Sequence, residues 1–233
     1  RFTQRLIAAL SAHTAEGGLY EVDMRLRPTG SKGPVSVKIG PFADYYVEGA
    51  DTWEFMALTR ARVVWASSEA FAQEVTQTLE AILRRPREGV DVAADVRKMR
   101  DLMDRERPPK GFWDTKLSAG AQVDAEFVGQ YRQLMRAASG EPLTVSTLDA
   151  LADDPVMART WLLHQHIGQL MSCAFDGRAN PEEEPEGFRE QMARAFECED
   201  FEALKALLAT VRKEARAHLD AVLPSAAPDI IKD

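Results

Sequence analysis

The stretch LYEVDMRLRPTGSKGP, residues 19–34, joins an alternating polar and apolar pattern to a turn rich in small residues. Between Tyr20 and Arg27, every second side chain is apolar, which is typical of a half-buried strand. Pro28 and Gly30 end the pattern, because both residues favour turns. On such a strand Asp23, Arg25 and Arg27 would lie on one face. The stretch therefore predicts a strand whose polar face carries a carboxylate and two guanidinium groups.

The rest of the chain predicts a small α+β region followed by a helical bundle. We expect strands at about 19–27 and 34–40, where apolar residues alternate with polar ones, and a short strand at about 60–65 that follows a helix. Beyond Ser67 the apolar residues recur at helical spacing instead. The run RERPPKGFWD interrupts the helices with two prolines and a glycine, so we predict one domain at 1–107 and a second at 108–233. The expected fold class is α+β and predominantly helical.

Composition excludes several classes of function. The 233 residues are 45% hydrophobic and 28% charged, with a formal net charge of -8. This acidic balance argues against a general nucleic-acid or anionic-membrane binder, since those need a basic face. No apolar run is long enough to span a membrane, and two cysteines do not make a disulfide framework. We predict a cytoplasmic location. The first residues, RFTQRL, begin within a helical pattern and lack a start methionine, so a fragment of a longer protein is expected.

The polar residues of the opening stretch allow two interpretations. Asp supplies oxygen ligands suited to Mg²⁺, and Arg supplies a planar fork suited to phosphate. The turn PTGSKGP can bring backbone N–H groups and the Ser31 hydroxyl near an anion. The alternative is an exposed strand face on which Asp23 and an arginine form a surface ion pair of little energetic value. On the pattern alone, the surface ion pair is the simpler interpretation.

Three motifs change that preference. YEVDMRLRPTGSKGP, DTWEFMALTRARVV and FWDTKLSAGAQVDAEFVGQY follow one another in this order between residues 20 and 131. They resemble the catalytic-domain motifs of the glutamine synthetase adenylyltransferase family, which share this order and similar distances. The resemblance covers residues 1 to about 135, and the remaining helices fit the family's C-terminal bundle without a motif of their own.

The resemblance implies a nucleotidyltransferase fold related to DNA polymerase β, in which three carboxylates hold two Mg²⁺ ions at the ATP triphosphate. Asp23 takes the third-carboxylate position, with Arg25, Arg27 and Ser31 as phosphate-binding candidates. Arg60, Arg62 and Glu54 either support the same pocket or form a structural ion-pair network. The motif that supplies the first two carboxylates does not occur in this sequence. The chain alone is therefore expected to be inactive.

The family's enzymes carry two such domains. One transfers AMP from ATP to a tyrosine of glutamine synthetase, and the other removes it by phosphorolysis. TWEFMALTRARVV resembles the C-terminal, adenylylating copy more, so we expect that half. There, Asp23 would bind metal and could also help to deprotonate the tyrosine. The alternatives are the deadenylylating domain, or a helical regulatory module that binds glutamine synthetase or a PII signalling protein.

The third motif adds Lys116, Asp124 and Glu126. Because residues two apart do not share a helical face, Asp124 and Glu126 cannot both point into one site, and a structural role is preferred. The sequence Ser118–Ala121 replaces the family's usual Gly-Gly pair, which makes a close backbone approach at residue 121 doubtful. His164 and His166 are interpreted as core or surface residues rather than metal ligands.

Overall fold

The computed structural model describes residues 1–18, 21–175 and 180–224, and the chain divides into two compact units after Arg85. Unit 1 comprises residues 1–85, and unit 2 begins at Pro86. The chain is predominantly helical with one small sheet, in agreement with the predicted α+β class. The division lies before residues 92–106, whereas the sequence placed the boundary after residue 107. The helix in that range packs against other helices of unit 2 and belongs with them.

The described residues of unit 1 form four helices and one two-residue strand pair. Its elements are α1 (Phe2–Ser11), β1 (His13–Thr14), β2 (Gly17–Gly18), a 3₁₀ turn (Gly30–Lys32), α2 (Ile39–Glu48), α3 (Thr52–Leu58) and α4 (Glu69–Arg84). The strands β1 and β2 are antiparallel. Helix α4 packs against α2 and α3. The ring of Tyr46 from α2 meets that of Phe55 from α3 edge-on, with centroids 5.3 Å apart. Aromatic packing therefore joins α2 to α3.

The predicted strands are not formed in the described residues. Residues 21–27 are irregular, the 34–40 segment ends inside α2, and residues 60–65 have no regular structure. Positions 19–20 of the first predicted strand lie outside the described residues. An alternating sequence becomes a strand only where another strand satisfies its backbone groups. The described part of unit 1 offers only the β1–β2 pair, so these alternating segments take turns and loops instead.

Unit 2 is the predicted helical bundle. Its elements are α5 (Val92–Glu106), α6 (Gln122–Ala138), α7 (Thr147–Ala150), α8 (Pro155–Ala174), a 3₁₀ turn (Pro181–Glu183), α9 (Glu186–Ala195) and α10 (Phe201–Val222). Helix α6 contacts α5, α7, α8 and α10, and α10 also contacts α8 and α9. Trp113, Ile167, Met192 and Leu204 form part of one buried apolar cluster. None of the helices that the structure describes is long and apolar enough to cross a membrane.

Several helices begin where a polar side chain precedes the first turn. Asp154 Oδ1 accepts a hydrogen bond of 3.1 Å from the Met157 N–H, and Pro155 is the first helical residue of α8. Asp200 caps α10 in the same way through the Ala203 N–H, at 2.7 Å. These caps satisfy N–H groups that have no partner inside the helix. Residues of this kind are therefore sequence signals for the start of a helix.

Candidate functional site

Asp23 and Arg25 form an exposed ion pair in the irregular segment before the turn. The Arg25 Nη2 lies 2.6 Å from Asp23 Oδ2, and its Nε donates to both carboxylate oxygens at 3.0 Å. The Arg25 backbone N–H also donates to Oδ1, at 2.9 Å. These hydrogen bonds from Arg25 lower the pKa of Asp23 to about 2. Asp23 is therefore ionised throughout the neutral range, although both its oxygens already have a partner.

This environment bears on the chemistry expected of Asp23. A carboxylate with a pKa near 2 is a weak base, so it is poorly suited to take a proton from a tyrosine hydroxyl. A permanently charged carboxylate is suited to a cation, whether a metal or a guanidinium. Within the described residues, however, no three or more Asp, Glu, His or Cys side chains are placed to hold a metal ion. The described residues alone therefore do not form a complete Mg²⁺ site, although Asp23 could supply one of its ligands.

Arg27 holds the turn together from inside. Its guanidinium donates to three backbone carbonyls, those of Met24, Ser31 (3.2 Å) and Gly33 (3.2 Å). These contacts join the two ends of the segment 24–33. In this structure the guanidinium of Arg27 therefore binds backbone carbonyls of its own turn. Arg27 has the contacts of a residue that shapes the loop next to Asp23 and Arg25.

The turn itself is closed by backbone hydrogen bonds and close packing. Gly30 N–H donates to Arg27 O at 2.8 Å, and Gly33 N–H donates to Gly30 O at 3.2 Å. A Cβ at Gly33 would lie 2.2 Å from Pro28 O, so only glycine fits there. In this structure the N–H groups of Gly30 and Gly33 therefore bond within the turn and not to an anion. The side chain of Ser31 is exposed at the same turn.

Glu54 is buried and links two helices of unit 1. It accepts a 2.6 Å hydrogen bond from the Tyr45 hydroxyl of α2 and a 3.0 Å bond from the Asp51 N–H. With Asp51 it forms a capping box at the start of α3. The bond to Glu54 raises the pKa of Tyr45. Of the two roles left open for Glu54, these contacts support the structural one, as helix cap and tether. Arg60 and Arg62 follow α3 and are exposed.

Asp124 lies at the centre of a buried charge network in unit 2. Its carboxylate accepts hydrogen bonds from Arg100 Nε of α5 and from the Gly120 N–H, the latter at 2.7 Å. Arg216 Nη1 of α10 lies 3.5 Å away. Both Asp124 and Arg100 are almost fully buried. The network joins α5, α6 and α10, and we refer to Arg100, Asp104, Asp124 and Arg216 as the Asp124 network.

The other residues of the third motif lie elsewhere. Glu126 is half-buried and accepts a 3.0 Å hydrogen bond from Gln122 Nε2. Lys116 is exposed in the loop before α6. The close backbone approach that the sequence made doubtful occurs one residue earlier, at Gly120, where a Cβ would lie 1.8 Å from Arg212 O. Residues of the third motif therefore pack the loop before α6 against α6 and α10.

Arg212 and its contacts were not predicted from the sequence. The guanidinium donates to Phe112 O (2.6 Å), Asp114 O (3.1 Å) and His164 Nε2 (3.0 Å). His164 is buried, and its Nδ1 lies 2.8 Å from Thr160 O. Burial lowers the pKa of His164 to about 4 and that of Arg212 to about 10. One feature of the sequence did indicate that Arg212 is buried. It follows Leu208 by four residues, so both lie on the apolar face of α10.

Comparison with known proteins relates this chain to enzymes that transfer adenylyl groups. Residues 1–78 match the family glutamate-ammonia ligase adenylyltransferase. The chain is also similar to bifunctional glutamine synthetase adenylyltransferase/adenylyl-removing enzymes from Caulobacter vibrioides (48% identity), Agrobacterium fabrum (40%) and Rhizobium meliloti (41%). The matches cover 96–97% of this chain and 24% of each relative. The resemblance seen in the three motifs is confirmed, and the chain spans about a quarter of the length of these relatives.

Proposed function

We propose that this chain is part of an enzyme that transfers AMP from ATP to a tyrosine of glutamine synthetase, and so regulates nitrogen assimilation in the cytoplasm. The observation that carries the proposal is the 48% identity over 96% of the chain to a bifunctional adenylyltransferase/adenylyl-removing enzyme. The family match at residues 1–78 contains the segment with Asp23 and Arg25. In this proposal unit 1 is the end of a nucleotidyltransferase domain, and its alternating segments pair with strands outside this chain.

The structure supports a division of roles within the proposed site. Asp23 is exposed and ionised, so it is the residue that we propose as this chain's ligand to Mg²⁺. The described residues offer no complete metal site, so the other ligands must come from elsewhere in the enzyme. Arg25, which is exposed, remains a candidate for phosphate, with Arg60 and Arg62 after α3. Arg27 positions the turn by binding three carbonyls.

Binding of phosphate by Arg25 requires a specific rearrangement. Its guanidinium now contacts both oxygens of Asp23, so it cannot serve phosphate in the same geometry. Since both groups are exposed, their ion pair is screened by solvent and is weak enough to open. Asp23 would hold Mg²⁺, which would supply the positive charge that Arg25 now provides, and Arg25 would then be available to the triphosphate. The proposal thus expects the pair to exchange partners when nucleotide binds.

The alternative within the same family is the adenylyl-removing activity, because the relatives are named for both reactions. A chimeric enzyme can show which of the two activities, AMP transfer or AMP removal, depends on this chain. This chain replaces the matching quarter of the Caulobacter vibrioides enzyme, and both AMP transfer to glutamine synthetase and AMP removal are assayed. With Asp23→Asn we expect AMP transfer to fall at least about 100-fold, as when one electrostatic group of an active site is removed. AMP removal should be unchanged.

The control for this experiment is Asp44→Asn, which removes another exposed carboxylate of unit 1. It should leave both activities at the level of the unaltered chimera. Loss of AMP removal alone in the Asp23→Asn chimera would assign the chain to the adenylyl-removing half. Retention of both activities would show that Asp23 has no catalytic role. The third interpretation, a module that binds PII or glutamine synthetase through its helices, would then be favoured.

A further inference from the structure

Unit 2 contains a cavity of about 580 Å³ between the segment 110–117 and the C-terminal part of α8. Its wall includes Lys110, Trp113, Thr115, Lys116, Met171 and Glu182. We refer to it as the 110–117 cavity. Sites for small molecules in proteins have volumes of about 300–1,000 Å³ and combine apolar walls with a few directed polar groups. The 110–117 cavity is therefore large enough for a small organic molecule.

The wall formed by 110–117 is held rigidly. Arg212 binds the carbonyls of Phe112 and Asp114 from the bundle side. The Asp114 carboxylate accepts hydrogen bonds from the N–H groups of Lys110, Lys116 and Leu117, at 2.8 to 3.0 Å. Because these bonds are made inside the protein, the segment has its shape before any ligand arrives. Such preorganisation lowers the entropic cost of binding.

Two backbone donors in this wall have no hydrogen-bond partner among the described residues. The N–H groups of Trp113 and Thr115 belong to the peptide bonds whose carbonyls, Phe112 O and Asp114 O, bind Arg212. In a trans peptide the C=O and N–H point in opposite directions, so both N–H groups point away from Arg212. Neither has a hydrogen-bond partner in the part of the chain that the structure describes. Both residues line the 110–117 cavity.

The charged groups around the cavity favour a negative ligand. The side chains of Lys110 and Lys116 are exposed, and no carboxylate pairs with either ammonium group among the described residues. The carboxylates nearby are already engaged, since Glu182 Oε1 binds Trp113 Nε1 at 3.2 Å and lies 3.4 Å from Lys205 Nζ. Asp114 is held by backbone N–H groups. Among the described residues, the charged groups of this wall that have no polar partner are therefore the ammonium groups of Lys110 and Lys116.

We propose that the 110–117 cavity binds the anionic group, phosphate or carboxylate, of a small organic molecule. The anion lies at the N–H groups of Trp113 and Thr115 with Lys110 and Lys116 beside it, and the organic part packs against Met171. Oriented backbone N–H groups and lysines are a recurrent combination at anion sites. The proposal concerns unit 2 alone and is independent of AMP transfer.

The test is an NMR titration of the ¹⁵N-labelled 233-residue chain with phenyl phosphate, benzoate, inorganic phosphate and acetate. We expect saturable shifts of the Trp113 and Thr115 amide signals, with a Kd in about the millimolar range or tighter for an aromatic anion. In the double variant Lys110→Gln/Lys116→Gln, that affinity should fall about tenfold or more, because two charged partners are lost. The matched control is Lys98→Gln/Lys213→Gln, which removes two exposed lysines away from the cavity.

Each outcome decides part of the proposal. Stronger binding of phenyl phosphate than of benzoate would identify phosphate as the preferred group, and the reverse order would identify carboxylate. Equal binding of the aromatic and simple anions would overturn the organic-molecule part. The proposal as a whole fails if no anion gives saturable shifts at Trp113 and Thr115. It also fails if the cavity variant and the control variant lose affinity equally, since binding would then follow net charge alone.

Discussion

Replacing Asp124 by Asn tests whether the Asp124 network stabilises unit 2. The substitution keeps the shape of the side chain but removes its charge. The new amide can still accept a hydrogen bond from the Gly120 N–H, which now bonds to Asp124 at 2.7 Å. Its NH₂ group, however, would then meet the Arg100 Nε–H, and two donors cannot bond to each other. Asp124→Asn therefore leaves a buried cation without one of its two carboxylates.

The size of the effect follows from burial. Arg100 is 1% exposed and Asp124 is 0% exposed, so water cannot replace the lost partner. Breaking a buried ion pair from one side costs about 3–5 kcal/mol. Arg100 keeps its contact with Asp104, which is partly exposed. We therefore expect the free energy of unfolding to fall by an amount at the low end of this range, about 3 kcal/mol. With a urea m-value of about 2 kcal/mol/M, the unfolding midpoint would fall by about 1.5 M.

Tryptophan fluorescence can follow unit 2 selectively. The chain has four tryptophans, and Trp53→Phe with Trp65→Phe leaves only Trp113 and Trp161, both in unit 2. Urea unfolding of Asp124→Asn in this background gives the free energy of unfolding for unit 2. The control is Asp153→Asn, because Asp153 is 80% exposed in its ion pair with Arg136.

The free energy of unfolding of the Asp153→Asn control should fall by no more than about 1 kcal/mol, as is usual for exposed ion pairs. If Asp124→Asn costs no more than Asp153→Asn, the reasoning about the buried network is refuted. A second variant distinguishes a lost charge pair from a lost shape. Adding Arg100→Met to Asp124→Asn removes the uncompensated cation, so the double variant should be more stable than Asp124→Asn alone. Further loss of stability in the double variant would contradict the electrostatic explanation.

Two other predictions concern unit 2. The pKa of His164 is about 4, below the 6.5 of an ordinary His, so between these values only the unfolded state binds the proton. The preference of the folded state for neutral His164 contributes up to about 3 kcal/mol to the free energy of unfolding. This contribution is complete above pH 6.5 and is lost as the pH falls towards 4. The difference in urea stability between the unaltered chain and His164→Gln should shrink over that range, and a pH-independent difference would contradict this expectation. Gly120→Ala should lower the free energy of unfolding by about 2–4 kcal/mol. Residue 120 has a φ of +73°, and the added Cβ would lie 1.8 Å from Arg212 O. Gly140→Ala, with a φ of +76° and no atom within 4 Å, should cost about 1 kcal/mol, and equal losses would exclude the close contact as the cause.

Local sequence determined the helices of this protein. The spacing of apolar residues predicted helices beyond Ser67, where α4 to α6 and α8 to α10 lie, and Asp154 with Pro155 begins α8. These features act within a few residues of one another, because a helix bonds to itself and its cap is a neighbour in the chain. The three motifs, which are also local, were enough to show the resemblance to the adenylyltransferase family. The short helix α7 was missed, since four residues carry no periodic pattern.

Only the tertiary structure decided which polar residues are buried and what they contact. Alternation around Asp23 predicted a strand, but a strand needs a partner that its own residues cannot supply, and the described chain forms a turn there. Likewise, the sequence marked Asp124 through its motif, while the contact with Arg100, 24 residues away, arises from packing of α5 against α6. Arg212 meets Phe112 across 100 residues for the same reason. Contacts between residues distant in the chain depend on how elements pack, and no local pattern contains them.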